Sequence, residues 1–251
     1  MKPTRTVKAA DTLFNIIQKL QQEDGAGVTE LAQEIGMAKS TVYDHLMTLE
    51  QKEYVVKEED TYRLSLRFLD HGVCIRNRIG MEEEVTSAIA QLAQDVNEAV
   101  WFVVEEHGNA VFIYKALGER AVQTHARIGR RMHLHHLAAG KSILANLPRN
   151  RVEEILAQKG LPERTEHTIT DEETLFQELE TVSENGVAHA KEETVGGVSS
   201  VAAPVIFEGE VRGAITVVGP SNRIDGSQLR DVLPELIRGT TNEIELKLTY
   251  G

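Results

Sequence analysis

Residues 29–54 constrain the fold of this chain most, because they have the pattern of two short helices joined by a tight turn. Apolar residues recur at helical spacing on both sides of the turn: Leu31, Ala32 and Ile35 before it, and Val42, Leu46 and Leu49 after it. Gly36 lies between the two segments, where a backbone with positive φ costs least. This pattern predicts a helix-turn-helix, whose second helix reads the DNA major groove.

Residues 54–64 predict a two-stranded ribbon directly after the second helix. A polar turn at residues 58–60 separates two short β-rich runs, 55–56 and 62–64. A ribbon in this position is the wing of a winged helix domain. We therefore predict double-stranded DNA as a partner. The alternative interpretation is a small helical domain with a hairpin that contacts another protein.

Three parts of this region carry the residues that we expect to face DNA. They are Arg5 in the N-terminal arm, Lys39, Ser40, Thr41, Tyr43, Asp44 and His45 on the second helix, and Lys57 and Arg63 on the wing. The basic residues are expected to hold phosphates, and the small polar and aromatic ones to face the groove. Asp44 can accept a hydrogen bond from a cytosine amino group but cannot hold a guanine as arginine does.

The formal net charge of −12 by itself argues against nucleic-acid binding, but most of the acidic excess lies outside the predicted DNA-binding region. Residues 1–80 hold eleven Lys and Arg against twelve Asp and Glu, a net of −1, so the remaining 171 residues carry −11. Attraction to phosphates depends on the local basic patch more than on the total charge. The first third of the chain therefore stays compatible with DNA.

A single cysteine, Cys74, excludes an intramolecular disulfide and a zinc ribbon. No apolar run approaches the length of a membrane span, and the N-terminus lacks the apolar core of a signal peptide. We therefore expect a cytoplasmic protein without a membrane partner.

The rest of the chain predicts a helical linker at 65–80 and a separate mixed domain at 81–251, after the winged helix domain at 1–64. Helices are predicted at 81–95, within 128–147, at 149–159, at 171–185 with a capping box of Thr170 and Glu173, and at 227–247 with a kink or break at Pro234. Strands are predicted at 100–104, 110–116, 121–126, 187–191, 198–207 and 211–219. An antiparallel sheet with helices before, within and after it makes the fold class α+β.

With these pieces in order, the chain resembles the IclR family of transcriptional regulators over essentially its full length. The matching residues are Lys39-Ser40-Thr41-Val42-Tyr43, Leu46, Thr48 and Leu49 in the second helix; His135, Gly140-Lys141 and Leu144-Ala145 in the middle; and Asn185-Gly186-Val187, Glu193, Gly197-Val198, Ala202-Ala203-Pro204-Val205, Gly219-Pro220 and Arg223 towards the end. The resemblance implies a GAF-like C-terminal domain that binds a small molecule, and pairs of winged helices that bind a palindromic operator as a homodimer or a dimer of dimers.

The resemblance also implies an effector pocket between the loop before Gly140 and the inner strands of the sheet. Carried over by motif, the effector-binding residues are Met132, Leu134, Ala138, Ala139, Lys191, Ser200, Thr216 and Val218. The chain departs from the family where it has His133 instead of proline, and Ala190 or Lys191 instead of an acidic residue. Because a lysine there suits an anion, we expect the effector to be a small organic acid, such as a sugar-acid breakdown product.

Three other patterns point to chemistry that we do not expect. Six histidines could suggest a metal site: His107, His125, His133, His135, His136 and His189. The side chains of adjacent histidines on a helix point in different directions, so positions in loops or at the edge of a pocket explain these residues better. Gly140-Lys141-Ser142 lacks the glycine five residues earlier that a phosphate-binding loop requires. Ser200, Thr216 and Glu193 form no nucleophile elbow. We therefore predict no metal, no cofactor and no enzymatic activity, and keep as the alternative a metabolite sensor whose winged helix contacts protein.

Overall fold

The chain divides into two units, Met1–Arg78 and Ile79–Gly251, in a computed structural model that describes residues 6–122 and 126–250. The first unit contains the predicted helix-turn-helix and ribbon. Its elements are α1 (Lys8–Gln22), α2 (Val28–Ile35), α3 (Lys39–Gln51), β1 (Val55–Glu58), β2 (Thr61–Leu64) and α4 (Arg67–Asn77). Gly36 ends α2 in the left-handed region with φ +72°, as the sequence predicts.

The core of the first unit joins all of these elements except α4. Ile16 of α1, Leu31 of α2, Leu46 of α3 and Tyr62 of β2 are almost fully buried in one cluster. The two strands pair in antiparallel register from Val55 opposite Leu64 to the turn at Glu58 and Thr61. The ribbon is thereby fixed against the helices, so the exposed face of α3 and the ribbon belong to one rigid surface.

The second unit is a six-stranded antiparallel sheet with helices on both faces. Its strands are β3 (Ala99–Glu106), β4 (Asn109–Leu117), β5 (Arg131–His133), β6 (Ala188–Lys191), β7 (Val198–Phe207) and β8 (Glu210–Pro220), in the order β5-β4-β3-β8-β7-β6. Its helices are α5 (Glu82–Val96), α6 (Ala138–Ala145), α7 (Arg149–Lys159), α8 (Glu172–Asn185) and α9 (Leu233–Tyr250). The predicted α+β class with an antiparallel sheet is therefore confirmed.

Strand alternation divides this unit into two cores. Val100 and Phe102 of β3 point to the face that α5 and α9 cover, while Trp101 and Val103 point to the face covered by α6, α7 and α8. Both faces of the central strands are buried, which explains why the sequence of β3 is a continuous apolar run and not an alternating one.

One predicted strand is wrong. Ala121, Val122 and Ala126 lie outside any strand, and residues 123–125 lie outside the described residues. Among the described residues the edge partner of β4 is β5, and just before β5 the N–H of Gly129 donates to the carbonyl of Phe112 at 2.7 Å. Short β-rich runs in a sequence do not reveal which of them finds an open sheet edge.

The predicted capping box is also wrong. Asp171, not Thr170, caps α8, and its Oδ1 accepts from the N–H of Glu173 at 2.8 Å. With the cap one residue later, Glu173 becomes the second helical residue and cannot reach back to complete the box.

The last predicted helix begins with an irregular turn. A π-helical turn at Gln228–Val232 precedes α9, and Pro234 is the second residue of the regular helix. Proline lacks an N–H and its ring clashes with the carbonyl four residues earlier, so the wider turn accommodates Pro234 without ending the helix.

We expect Gly140→Ala to destabilise the second unit by about 3 kcal/mol, because added methyl volume in a packed core typically costs about 1–3 kcal/mol or more. A Cβ at Gly140 lies 2.0 Å from the carbonyl oxygen of Leu134, and backbone cannot move aside as a flexible side chain does. Urea unfolding followed by fluorescence of Trp101, the only tryptophan, measures this unit alone. Gly196→Ala, which meets no atom within 4 Å, is the matched control. Equal stabilities of the two variants contradict the prediction.

Candidate functional site

The predicted DNA-reading face of α3 is exposed. Lys39, Ser40 and Asp44 are exposed, and Tyr43 keeps 46% of its surface. Thr41 and His45 are partly exposed, while the opposite face of the helix is buried in the core. Ala38 at the N-cap offers no side-chain acceptor to the N–H groups of the first turn. These N–H groups therefore stay available to an anion such as a DNA phosphate.

The structure assigns Arg63 a role that the sequence did not predict. Its Nε lies 3.2 Å from Glu58 Oε2, its Nη1 lies 3.3 Å from Asp24 Oδ2, and the guanidinium also donates to the carbonyl of Asp24. Arg63 thus ties the wing to the end of α1 with its charge compensated. Lys57 remains exposed, with its ammonium 5.5 Å from the ring of Tyr62. Arg5 lies outside the described residues.

A cavity of about 540 Å³ lies in the second unit between the sheet and the N-terminus of α6. Its walls are mostly apolar with a few polar groups: Trp101, Phe112, Val122, Ala126, Arg130, Met132, Leu137, Ala138, Ala139, Arg164, Ala190, Glu193, Thr194, Val195, Val198, Ser200, Thr216 and Val218. The volume is within the range of small-molecule sites, about 300–1,000 Å³. This cavity is the candidate effector site.

Six of the eight predicted effector residues line the cavity: Met132, Ala138, Ala139, Ser200, Thr216 and Val218. Leu134 does not line it, being 2% exposed in the core behind it. Lys191 does not line it either, and its side chain is exposed. Ala190 pairs with Ser200 and faces the cavity, so the alternation of the strand turns the next residue, Lys191, to the other face.

Two arginines, and not Lys191, bring positive charge to the cavity. Arg130 and Arg164 line the cavity, and the Arg164 guanidinium has no ion-pair partner in the described part of the chain. Thr168 Oγ1 accepts from the backbone N–H of Arg164 at 3.1 Å and donates to the carbonyl of Glu193 at 2.7 Å. Arg164 lies in an irregular loop, and no periodic pattern in the sequence points to it.

A buried ion cluster adjoins the cavity. Lys141 is 1% exposed, and its Nζ lies 2.8 Å from Glu193 Oε1 and 2.9 Å from Glu178 Oε1. Burial raises the pKa of the Glu193 carboxyl, and the lysine opposes that shift. Because both carboxylates compete for Lys141, the Gly140-Lys141 pair is a packing and ion-pair element and not a phosphate-binding loop.

The described histidines do not form a metal centre. The rings of His133, His135 and His136 are 5.1 to 6.3 Å apart, yet the described residues contain no group of three His, Cys, Asp or Glu side chains suited to hold a metal ion. His135 Nε2 lies 3.2 Å from the carbonyl of Pro162, and His136 Nδ1 lies 3.1 Å from the hydroxyl of Thr194. His125, part of the same sequence pattern, lies outside the described residues.

No helix between residues 6–122 or 126–250 is long and apolar enough to span a bilayer.

Comparison with known families and structures gives matches to both units. The IclR helix-turn-helix domain matches residues 9–59, and the C-terminal domain of the bacterial transcriptional regulator IclR matches residues 76–246. The probable HTH-type transcriptional regulator ArcR of Halobacterium salinarum is 30% identical over 97% of this chain and 95% of its own.

Solved structures show the same fold. The Thermotoga maritima IclR structure is similar with a TM-score of 0.78 and 25% identity, covering 97% of this chain and 98% of that chain. An IclR homologue from Microbacterium hydrocarbonoxydans, solved in complex with 4-hydroxybenzoate, is similar with a TM-score of 0.80 and 20% identity over 95% of this chain and 100% of its own.

We expect acid to destabilise the second unit through His135 and His136. Burial lowers the pKa of His135 from 6.5 to about 4 and that of His136 from 6.5 to about 3, so both are neutral when folded. The unfolded chain binds these protons at higher pH, so stability is lost as pH falls below about 6.5, by about 2 kcal/mol for each histidine at about pH 5.

Urea unfolding of wild type and of His136→Gln between about pH 7.5 and pH 5 tests this expectation through the slope of stability against pH. The slope should be shallower in His136→Gln, whereas His167→Gln, at an exposed position, should keep the slope of the wild type. A slope unchanged by His136→Gln contradicts the assignment.

Proposed function

We propose that this chain, which belongs to the IclR family of DNA-binding transcriptional regulators, changes its affinity for operator DNA when a small organic acid fills the cavity of its second unit. The family consists of regulators and not of enzymes. The proposal that an organic acid is the effector rests on the cavity of about 540 Å³, which has mostly apolar walls and two arginines. Residues 1–64 form the DNA-binding domain, residues 65–80 the linker, and residues 81–251 the sensor.

DNA binding uses the exposed face of α3. Lys39 and Lys57 hold phosphates, and Ser40, Thr41, Tyr43, Asp44 and His45 face the groove. Family membership favours this function over a winged helix that contacts protein. As a DNA-binding regulator, the chain acts in the cytoplasm.

The regulator acts as a homodimer or a dimer of dimers on a palindromic operator. The linker helix α4 supports this assembly, because none of its residues is buried and Leu69 and Val73, one turn apart, expose 62% and 36% of their surfaces. Apolar side chains this exposed on one helix are typical of a face that a second copy covers.

The effector is an anion with a compact apolar body. Arg164 gives the cavity wall a positive charge that no ion pair among the described residues compensates, while the Glu193 carboxylate is already held by Lys141. Trp101 and Phe112, whose rings meet edge to face at 5.2 Å, form an apolar wall suited to a flat or aliphatic body. A sugar-acid breakdown product belongs to the acid class, and an aromatic acid fits these walls better. The Microbacterium homologue in complex with 4-hydroxybenzoate supports the same class.

Regulation requires that the acid bind one arrangement of the protein more tightly than another. The cavity borders the N-terminus of α6 and the loop after β6, so an occupant fixes both. Couplings between such sites are typically about 1–3 kcal/mol, which corresponds to about 5- to 150-fold in DNA affinity.

Replacing Lys39 should weaken DNA binding more than replacing Arg63. The Lys39→Ala variant loses a free phosphate-binding cation, so affinity falls for all DNA sequences and the slope of log affinity against log salt falls by about 1. The Arg63 charge is already compensated by Glu58 and Asp24, so Arg63→Ala should change the slope less. Fluorescence anisotropy with DNA from upstream of its own gene, at several salt concentrations, measures both. A larger slope change for Arg63→Ala contradicts this order.

Replacing Arg164 should weaken acid binding. Losing a charged hydrogen bond to a carboxylate costs about tenfold or more in affinity for benzoate or 4-hydroxybenzoate. Quenching of Trp101, the only tryptophan and a cavity residue, reports the binding. Lys191→Ala is the matched control, because this exposed lysine lies outside the cavity and its loss should leave affinity within about twofold. Unchanged binding by Arg164→Gln, or a large loss in Lys191→Ala, refutes the assignment.

A further inference from the structure

Asp44 lies at the centre of the exposed face of α3. The buried face of this helix is formed by Val42, Leu46 and Leu49. Since successive residues of an α-helix are turned by about 100°, Asp44 lies almost opposite the middle of that buried face. The residue is exposed, and its carboxylate has no ion pair or hydrogen bond in the part of the chain that the structure describes. The carboxylate therefore points away from the domain, on the side where the proposed function places DNA.

The neighbours of Asp44 on α3 do not compensate its charge. Ser40 and Thr41 lie one turn before it, and Met47 and Thr48 lie one turn after it, and none of the four is a cation. The Thr48 hydroxyl donates to the backbone carbonyl of Asp44 at 2.9 Å, so its hydrogen is not available to the carboxylate. The acceptor oxygens of Asp44 are thus open to a donor from outside the protein.

Other acids of the first unit are held by cations. Glu53 Oε2 lies 2.8 Å from Arg67 Nη1, and Glu34 Oε2 lies 3.2 Å from Lys19 Nζ. Asp44 differs from them, because an uncompensated carboxylate on a face that meets a polyanion weakens binding to the phosphates of any sequence. Such a repulsive group raises specificity when the correct sequence alone offers it a hydrogen-bond donor.

The edges of the bases decide which donor fits Asp44. A carboxylate only accepts hydrogen bonds, and the major groove offers two amino donors, N4 of cytosine and N6 of adenine. The adenine amino group lies beside N7, an acceptor that repels a carboxylate. Cytosine presents its amino group without an acceptor of its own in the major groove. Cytosine is therefore the base that an unpaired aspartate favours.

We infer that Asp44 sets the sequence specificity of this regulator, by accepting a hydrogen bond from the N4 amino group of one cytosine in each operator half-site and by repelling DNA that lacks this cytosine. The inference rests on the proposed function, since it assumes that α3 enters the major groove. It goes further than that function, because it names one residue as the source of discrimination and one base as its target.

Selection from a pool of random DNA duplexes tests the inference on the full chain. The wild type should select cytosine at a half-site position where Asp44→Ala selects no base. Asp44→Asn should select adenine there, because an amide accepts from N6 and donates to N7. Replacing that cytosine with thymine should lower wild-type affinity about fivefold or more, and the affinity of Asp44→Ala less than about twofold. Both variants should bind non-operator DNA severalfold more tightly, since a negative charge is removed.

Glu50→Gln is the matched control. Glu50 belongs to the same helix and also has no ion pair among the described residues, but it is only partly exposed and lies to the side of the face that Asp44 occupies. The variant removes the same charge from α3 and should keep the cytosine preference of the wild type. Equal loss of this preference in Glu50→Gln and Asp44→Ala overturns the direct contact between Asp44 and the base.

The remaining outcomes distinguish this inference from the proposed function. An unchanged cytosine preference in Asp44→Ala overturns the role of Asp44 and leaves the DNA-binding regulator standing. Weaker binding of Asp44→Ala to all DNA also overturns it, because the inference requires that the carboxylate repel non-operator DNA. A preference for another base that disappears in Asp44→Ala overturns the choice of cytosine. No selection of any sequence by the wild type overturns both proposals.

Discussion

The buried ion pair of Lys141 is the interaction on which the sensing unit depends. Lys141 of α6 connects two other segments. Its Nζ lies 2.9 Å from Glu178 Oε1 of α8 and 2.8 Å from Glu193 Oε1 in the loop after β6. Burying such charges costs as much solvation as the pairing returns, so the pair adds little net stability. Removing one partner, in contrast, lowers the stability of the folded state by about 3–5 kcal/mol, because it leaves the other charge buried without a counter-charge. The pair therefore fixes where the segments lie and, with them, the shape of the cavity.

Strand alternation decides which side chains the cavity receives. Trp101, Ser200, Thr216 and Val218 share one face of the sheet and reach the cavity, while their neighbours Phe102, Val201 and Val217 form the opposite core. The bulky residues of the wall are consequently part of the same packed sheet that makes the fold stable. The sheet side of the cavity is therefore rigid. The side formed by α6 and the loops is the one that can adjust to a bound molecule.

The sequence predicted what depends on local periodicity and missed what depends on register or on loops. Helix α7 and strand β7 appear where they were predicted, at 149–159 and 198–207, because their apolar spacing reflects the face that they bury. Lys191 was placed in the cavity because family motifs locate a strand but not the parity of each residue along it. Arg164 was missed because its position comes from loop hydrogen bonds to Thr168, and the ion pair of Arg63 with Asp24 was missed because the two lie far apart in sequence.

The same ion pair gives the cavity a way to act on its surroundings. Ala138 and Ala139 line the cavity at the start of α6, and Lys141 follows two residues later on the same helix. A ligand that touches this helix start therefore acts on the helix that carries Lys141. Because Lys141 also holds Glu178, a change in the Glu193 carboxylate changes the balance of charge on α8. An effector that displaces the start of α6 thus also acts on α8 and on the loop after β6, which is how filling the cavity can favour one arrangement of the unit over another.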